Sequence, residues 1–504
     1  MSANKFKSLS KVLVSVSGIV ILAKVLGFAK NIVMASTFGA SIETDLITLA
    51  NTLVANTEYI ITQTLATAFV PIYISVRGES TGVEKKKFVS NAIKLFLIVS
   101  VALTGILFLG SPIVSKIIAP TYESELSHQL AFYIRLLSPI LIFFVLLSIY
   151  KAILNANERY VPGELVSVIG SMLMIGAIIG LAAKIGTDAI LLGFWLSVVI
   201  STIFLGLLSK KHWTIVRGNP FKDQHILSLL KMVLPLLFGY AMIFINQQVD
   251  KIIVSSMADG TVTAMSYGNT VSQLVVTLIA SFCMVMYTRL SVNSAQGDHK
   301  QNAGFIVKTL SVVFTLLIPI TLVTVLSARD IIRTVYERGA FDARATQSAS
   351  YALAGYGLMF IPYTSKSLFS RYLYSNQNTR KPVKNNVIGI LFNIALSLAL
   401  YKPLGVFGVT FASSLSELLT GVLNIFDSIK INSHINFQLW KKNAKFWFFG
   451  TVCAIAAILG FQSIAAGWSS SLVRFLCCTI IGFLAYAIPC YKLILEIVKT
   501  AFKK

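Results

Sequence analysis

The stretch Asn155-Ala-Asn-Glu-Arg159 occurs a second time in the chain as Asn376-Gln-Asn-Thr-Arg380, 221 residues further on. Each copy is followed by a proline and by Val-Ile-Gly, ending at Gly170 and Gly389. Phe38-Gly39-Ala40 and Ala258-Asp259-Gly260 mark a second pair of turns about 220 residues apart. A shared polar motif at one loop position in each half indicates an internal repeat, because apolar sequence alone matches by chance too easily.

The segments around these motifs are apolar and long enough to cross a membrane. Hydrophobic residues make up 56% of the 504 residues and charged residues 12%, and the mean hydropathy is +0.77. Soluble domains carry about twice that share of charge, so the composition excludes an ordinary soluble enzyme. Stretches of roughly 20 apolar residues lie near 11–29, 46–76, 91–111, 130–154, 161–183, 189–209, 228–257, 264–288, 304–327, 347–374, 383–401, 405–428, 446–466 and 471–496.

The repeat and the spans together predict the architecture. We expect an all-α polytopic membrane protein of about 14 transmembrane helices, built from two six-helix lobes and two further C-terminal helices. Six is an even number, so both lobes enter the membrane from the same side and form a parallel repeat, the geometry of alternating-access transporters. The predicted boundaries are 1–215 for the N-lobe, 226–430 for the C-lobe and 440–504 for the last two spans.

The distribution of charge predicts orientation and location. The chain carries 43 Lys and Arg against 20 Asp and Glu, and most cations fall in loops that share one side if both termini are cytoplasmic. The basic start of the chain resembles a signal peptide, but no convincing cleavage site follows, so we expect an uncleaved first span. These features predict a multi-pass protein of a bacterial cytoplasmic membrane. They give no reason to expect a nucleic-acid partner.

Several ionisable residues lie inside the predicted spans, where charge is costly and usually faces a cavity or a partner. Lys24, Lys30 and Arg135 predict a hydrated, cationic cavity for an anionic head group. Asp45 or Glu58 would hold a lysine between transport steps or bind a coupling cation. The alternative is intramembrane pairing, with lysines near helix ends reaching the interface. For Arg135 itself and for Lys366, Asp250 and Glu417 we favour that structural alternative.

Sequence motifs for catalysis are absent. The chain has no phosphate-binding loop of the G-x-x-x-x-G-K-[ST] type, no H-E-x-x-H and no cysteine pair with metal-ligand spacing. The five histidines are scattered over predicted loops. We therefore expect no enzyme activity, no cofactor and no metal site.

Motifs along residues 10–430 resemble the lipid II flippase family, MurJ or MviN. They are Lys24-Val-Leu-Gly-Phe-Ala29, Phe38-Gly-Ala-Ser41, Thr44-Asp45, Phe69-Val-Pro71, Ile153-Leu-Asn-Ala156, Val249-Asp-Lys251, Arg289-Leu-Ser291, Arg338-Gly-Ala-Phe341, Tyr351-Ala-Leu-Ala354 and Asn378-Thr-Arg-Lys-Pro-Val383. The resemblance implies a two-lobed exporter that moves a polyprenyl-diphosphate-linked cell-wall precursor to the outer leaflet. It also implies a lipid-tail groove along the last two spans, and contact with the cell-wall synthesis machinery.

The resemblance also assigns residues to substrate binding, with four departures. Lys24 and Lys30 stand where the family has arginines, which keeps the charge but loses bidentate phosphate binding. Asp45 matches a family carboxylate. Glu58 and Thr270 each stand where the family has an arginine.

These departures leave other functions open. The chain could move another lipid-linked oligosaccharide, such as an O-antigen or capsule unit, with its cations re-sited at Arg135 or Lys366. It could also be a membrane scaffold that has lost transport. A membrane-bound transferase is the remaining alternative.

Overall fold

The computed structural model of the chain describes residues 3–79, 82–296 and 298–502. The described residues form α-helices and short 3₁₀-helices, with no strand among them. Helices satisfy every backbone hydrogen bond within one segment, which is required where no water reaches the backbone. The all-α prediction is therefore confirmed. The predicted terminal cations Lys503 and Lys504 lie outside the described residues.

Sixteen α-helices follow one another in the described chain. They are α1 (Ala3–Phe38), α2 (Ile42–Glu79), α3 (Gly82–Ile118), α4 (Ser124–Leu137), α5 (Ile140–Ala156), α6 (Val161–Ile185), α7 (Asp188–Ser209), α8 (Gln224–Ser255), α9 (Thr261–Ala295), α10 (His299–Leu326), α11 (Ala328–Tyr336), α12 (Ala343–Gly357), α13 (Phe360–Ser375), α14 (Arg380–Ile431), α15 (Gln438–Ile464) and α16 (Ser471–Phe502).

These helices account for the predicted membrane spans. Eleven helical segments of the described chain are long and apolar enough to cross a bilayer, counting α4 with α5 as one and α14 as one. Helix α14 contains two predicted spans, separated at Gly405, whose φ of 58° is not helical. Helix α8, with 32 residues, and the consecutive pair α12 and α13 supply the other two. The prediction of fourteen spans is confirmed, and α11 is a short additional helix.

The internal repeat is visible in the backbone geometry. Glu158 and Gln377 are the two non-glycine residues of the described chain with positive φ, at 60° and 58°, and they are 219 residues apart. Gly186 and Gly405 share a φ of 58° at the same separation. Two helix–helix hydrogen bonds repeat with this offset as well, from Ser197 to the Gly170 carbonyl and from Ser416 to the Gly389 carbonyl.

The geometry corrects the register of the polar loop motif. Asn157 ends α5 and donates to the Ile153 carbonyl, and Asn376 ends α13 and donates in the same way to the Tyr372 carbonyl. Asn376 is therefore equivalent to Asn157, and not to Asn155 as the shared letters suggest. Near the loop the structural offset is 219 residues, and the 221-residue match aligned side chains with different roles.

The chain forms two compact units. Unit 1 runs to Val262 and includes Arg338–Phe341, and unit 2 comprises Thr263–Glu337 and the chain from Asp342 onward. In unit 1, α1 packs on α6, and α8 packs on α2 and α3. In unit 2, α15 and α16 pack on each other and on α10. The sequence repeat places α8 in the second half of the chain, whereas its packing partners belong to the first.

Large apolar side chains cover much of the surface. Leu109, Leu278 and Ile464 are 79%, 72% and 80% exposed, and many others on the long helices are exposed too. Extensive apolar patches are unusual on monomeric soluble proteins. On helices of this length they are the surface that faces acyl chains.

Candidate functional site

Two lysines of α1 provide cations inside unit 1. Lys24 is exposed and Lys30 is half-buried, and neither forms an ion pair with a carboxylate of the described residues. Gly27 lies between them and faces Ser171 of α6 across 4.0 Å. At 100° per residue, each lysine is rotated about 60° from Gly27, in opposite directions. The two charges therefore flank the contact of α1 with α6.

Asp45 is buried near the start of α2, with 2% of its surface exposed. The Val262 backbone N–H donates to its Oδ2 atom across 3.4 Å. Tyr122, in the loop before α4, lies near this carboxylate: burial raises the pKa of the Tyr122 phenol, and the charges of Asp45 and Asp259 raise it further. The phenol therefore stays protonated at neutral pH. The structure places Asp45 in a closed polar environment rather than in open solvent.

Lys251 is a charged residue that sequence reasoning assigned only to a family motif. Its Nζ atom, on α8, donates to the Thr52 hydroxyl of α2, and the charge of Asp45 acts on it as well. Asp45 and Thr52 are seven residues apart, so they lie on one face of α2. The sequence signal was this spacing together with a lysine near the end of a span. The pairing of α8 with α2 could not be read from it.

Glu58 lies in a polar cluster between α2 and α5. Its Oε1 atom accepts a hydrogen bond of 2.7 Å from the Thr62 hydroxyl, which is itself 2.5 Å from the Ser148 hydroxyl. Lys151 acts electrostatically on this carboxylate and forms an ion pair of 3.2 Å with Glu164. The lysine beside Glu58 is therefore a member of unit 1 that the sequence analysis did not select.

Arg135 and Thr270 are each engaged locally. Arg135 is exposed on α4, and its Nε atom donates to the Ser111 hydroxyl of α3 across 2.7 Å. The Thr270 hydroxyl donates back to the Ser266 carbonyl across 2.9 Å, one turn earlier on α9. This back-bonding occupies the donor of Thr270 within its own helix.

Unit 2 contains intramembrane ion pairs. Lys366 of α13 pairs with Glu417 of α14 across 2.9 Å, and Lys381 pairs with Asp427 across 3.2 Å. The structural reading of Lys366 and Glu417 as partners is confirmed. Paired charges of this kind reduce the cost of burying either group alone.

Three glycines bring backbone segments of unit 1 into close contact. A Cβ atom on Gly260 would lie 2.1 Å from the Ala40 carbonyl oxygen, and one on Gly339 would lie 2.1 Å from that of Ser36. Gly39 would meet the Ala340 carbonyl oxygen at 2.3 Å. All three have positive φ. We call Gly39, Gly260 and Gly339 the glycine cluster, and it explains why the family-like motifs around residues 39 and 339 contain glycine.

A groove of about 590 Å³ lies within unit 2, between α10, α15 and α16. Asn443 donates to Ser311 across 2.7 Å beside it, and the Trp447 indole donates to Thr315 across 3.0 Å. Its lining combines apolar and polar side chains, including Leu439, Leu493 and Lys308. In the described part of the chain, no group of three or more His, Cys, Asp or Glu side chains is placed to hold a metal ion.

Comparison with known proteins identifies relatives across the chain. The family model described as "Lipid II flippase MurJ" matches residues 34–478. A "Probable lipid II flippase MurJ" of Synechocystis sp. is 24% identical, covering 92% of this chain and 89% of its own length. Another, from Haemophilus influenzae, is 22% identical, covering 80% and 83%.

Two solved structures share the fold. "Lipid II flippase MurJ, inward closed conformation" matches with a TM-score of 0.80 and 23% identity, covering 96% of this chain and 99% of that one. An inward-facing multidrug resistance MATE family transporter of the MOP superfamily matches with a TM-score of 0.69 and 12% identity, covering 84% and 98%.

Proposed function

The chain belongs to the lipid II flippase family MurJ, and on that premise we propose that it moves a lipid II-like cell-wall precursor across the bacterial cytoplasmic membrane. The substrate is a polyprenyl diphosphate that carries a glycan, and it passes from the inner to the outer leaflet by alternating access. The transport involves no covalent chemistry and no cofactor. Both termini are cytoplasmic, as the positive-inside rule favours.

The observation that carries this proposal is the pair of α1 lysines. An ammonium group within a membrane span is costly unless a carboxylate or a polar ligand compensates it. No described carboxylate forms an ion pair with Lys24 or Lys30. A diphosphate supplies the missing negative charge, and lysine binds phosphate oxygens as a compact point charge.

The remaining site residues complete the proposed binding region. Asp45 holds Lys251 when substrate is absent, and Glu58 does the same for Lys151 or binds a coupling cation. Arg135 adds to the positive field from α4, at the end of its hydrogen bond to Ser111. Thr270 is a neutral contact for the head group.

The lobes and the groove have proposed roles as well. The boundaries 1–215, 226–430 and 440–504 define two lobes that rock and a C-terminal pair of helices. The groove between α10, α15 and α16 accepts part of the polyprenyl tail, since apolar Leu439 and Leu493 contribute to its lining. The bilayer surrounds the long helices, and the cell-wall synthesis machinery receives the product.

A second candidate substrate is another lipid-linked oligosaccharide, such as an O-antigen or capsule unit. The observation that favours it is the carboxylate of Glu58 at a position where the family has an arginine. A carboxylate repels a diphosphate and accepts hydrogen bonds from sugar hydroxyls.

Reconstitution tests the proposed function. We expect proteoliposomes of the full chain to make lipid II accessible to a membrane-impermeant reagent that labels its glycan from outside. Protein-free liposomes provide the baseline, and liposomes loaded with an unrelated lipid-linked O-antigen unit test selectivity. A rate no higher than the baseline, with and without an imposed membrane potential, would contradict the proposal. Faster movement of the O-antigen unit would favour the second candidate.

A further inference from the structure

Helix α9 offers no cation to a substrate at Thr270, whose hydroxyl is bound to the Ser266 carbonyl. Further along α9, however, a cavity of about 280 Å³ lies between this helix and α13. A water molecule occupies about 30 Å³ in the liquid, so this cavity is large enough for a group of several heavy atoms. We call it the Arg371 pocket, and it is lined by Met284, Tyr287, Lys366, Ser367, Ser370, Arg371 and Tyr374.

The lining residues of α13 share one helical face. Lys366, Ser370 and Tyr374 follow one another at intervals of four residues, and Ser367 and Arg371 form a parallel row. Residues at this spacing are neighbours on a helix surface. The α13 side of the pocket therefore consists of two cations, two hydroxyl groups of serine and one phenol.

Arg371 has hydrogen-bonding capacity to spare. Its one hydrogen bond among the described residues runs from an Nη atom to the Ser367 carbonyl, across 3.3 Å. No carboxylate of the described chain forms an ion pair with it. A guanidinium has five N–H donors in a planar fork, which match the oxygens of a phosphate two at a time.

Lys366 is fixed at the other end of the pocket. Its ammonium group donates to Glu417 across 2.9 Å, which orients the side chain and leaves two further donors. Glu417 is not among the lining residues, so the pocket itself presents cations and no carboxylate. Tyr374 lies within electrostatic reach of Lys366, Arg371 and Tyr287.

We propose that the Arg371 pocket binds the diphosphate of the lipid-linked substrate. This inference rests on the proposed function and adds to it a second anion site, in unit 2. Arg371 would bind two phosphate oxygens, Lys366 would contribute charge, and the phenols of Tyr287 and Tyr374 would donate hydrogen bonds. The family arginine absent at Thr270 would thus be replaced by an arginine on another helix of the same unit.

Binding of a soluble lipid diphosphate tests the pocket directly. Farnesyl diphosphate is titrated into the purified full chain in detergent, for the natural chain and for Arg371→Gln, Arg371→Lys and Lys366→Ala. We expect Arg371→Gln to raise the Kd about tenfold or more, since a charge-assisted pair is lost. Arg371→Lys should fall between, because the charge stays and the fork is lost. The matched control is Lys384→Ala, an exposed cation of the same unit, which should leave the Kd unchanged.

A second titration, with phosphatidylglycerol in place of farnesyl diphosphate, separates a diphosphate site from a general site for anionic lipids. Equal losses for both lipids in Arg371→Gln would overturn the proposal, as would an unchanged Kd for farnesyl diphosphate. Thermal unfolding of each variant shows that the fold is kept. The proposed function can fail on its own: a natural chain that moves no lipid II would still lose farnesyl diphosphate binding in Arg371→Gln. Conversely, intact transport with unchanged binding in Arg371→Gln would reject the pocket alone.

Discussion

Replacing Lys24 by alanine is expected to lower lipid II transport about 10- to 100-fold, because one charge-assisted contact with the diphosphate is lost. Lys24 is exposed on α1 and has no ion-pair partner among the described residues. Its removal therefore leaves no buried carboxylate uncompensated and no cavity in the core. The amount of folded protein in the membrane should stay the same. Transport in proteoliposomes, with expression measured in parallel, gives both quantities.

Two further variants define what the charge does. Lys24→Arg should keep transport within a few-fold, because the charge is retained and the fork geometry is gained. Lys184→Ala serves as the matched control, since Lys184 is an exposed lysine in the last turn of α6, also in unit 1. Full transport in Lys24→Ala would reject the cationic binding region, and it would favour a scaffold without transport if the natural chain were equally inactive.

Replacing Gly260 by alanine is expected to destabilise the chain by about 2–4 kcal/mol. Gly260 has a φ of 81°, and its added Cβ would lie 2.1 Å from the Ala40 carbonyl oxygen. A backbone atom cannot rotate away as a side chain can, so the turn between α1 and α2 has to shift. The midpoint of thermal unfolding in detergent measures the effect.

Gly186→Ala separates backbone strain from steric overlap. Gly186 has a φ of 58°, but an added Cβ would meet nothing within 4 Å. Only the cost of the left-handed conformation remains there, about 1–2 kcal/mol. The unfolding midpoint should therefore fall clearly further in Gly260→Ala than in Gly186→Ala. Equal shifts would show that the glycine cluster is not a close backbone contact.

The number and order of the helices could be predicted because each depends on local sequence. An apolar segment of about 20 residues forms a helix in a bilayer whatever its neighbours are. The break between α4 and α5 occurs beside Pro139, and the break within α14 occurs at Gly405, both residues that disfavour a continuous helix. The register of the repeat failed because identical letters at Asn155 and Asn376 concealed a two-residue offset between the halves.

The candidate site was harder to predict because it depends on which helices pack together. Lys24, Lys30, Asp45 and Glu58 could be selected as charges within spans. The contact of Lys251 with Thr52 depends on α8 packing against α2, which no local pattern encodes. Arg371 was not selected for the same reason, since its significance lies in the cavity that α13 forms with α9.

Depletion of the protein in its own host, followed by mass spectrometry of polyprenyl-linked lipids, tests the central claim most directly. We predict that lipid II accumulates and that a plasmid-borne copy of the natural chain reverses the accumulation, whereas Lys24→Ala does not. Accumulation of a different lipid-linked glycan would replace the proposed substrate and account for Glu58 and Thr270. Unchanged levels of every polyprenyl-linked lipid, in a strain without a second flippase, would contradict the account.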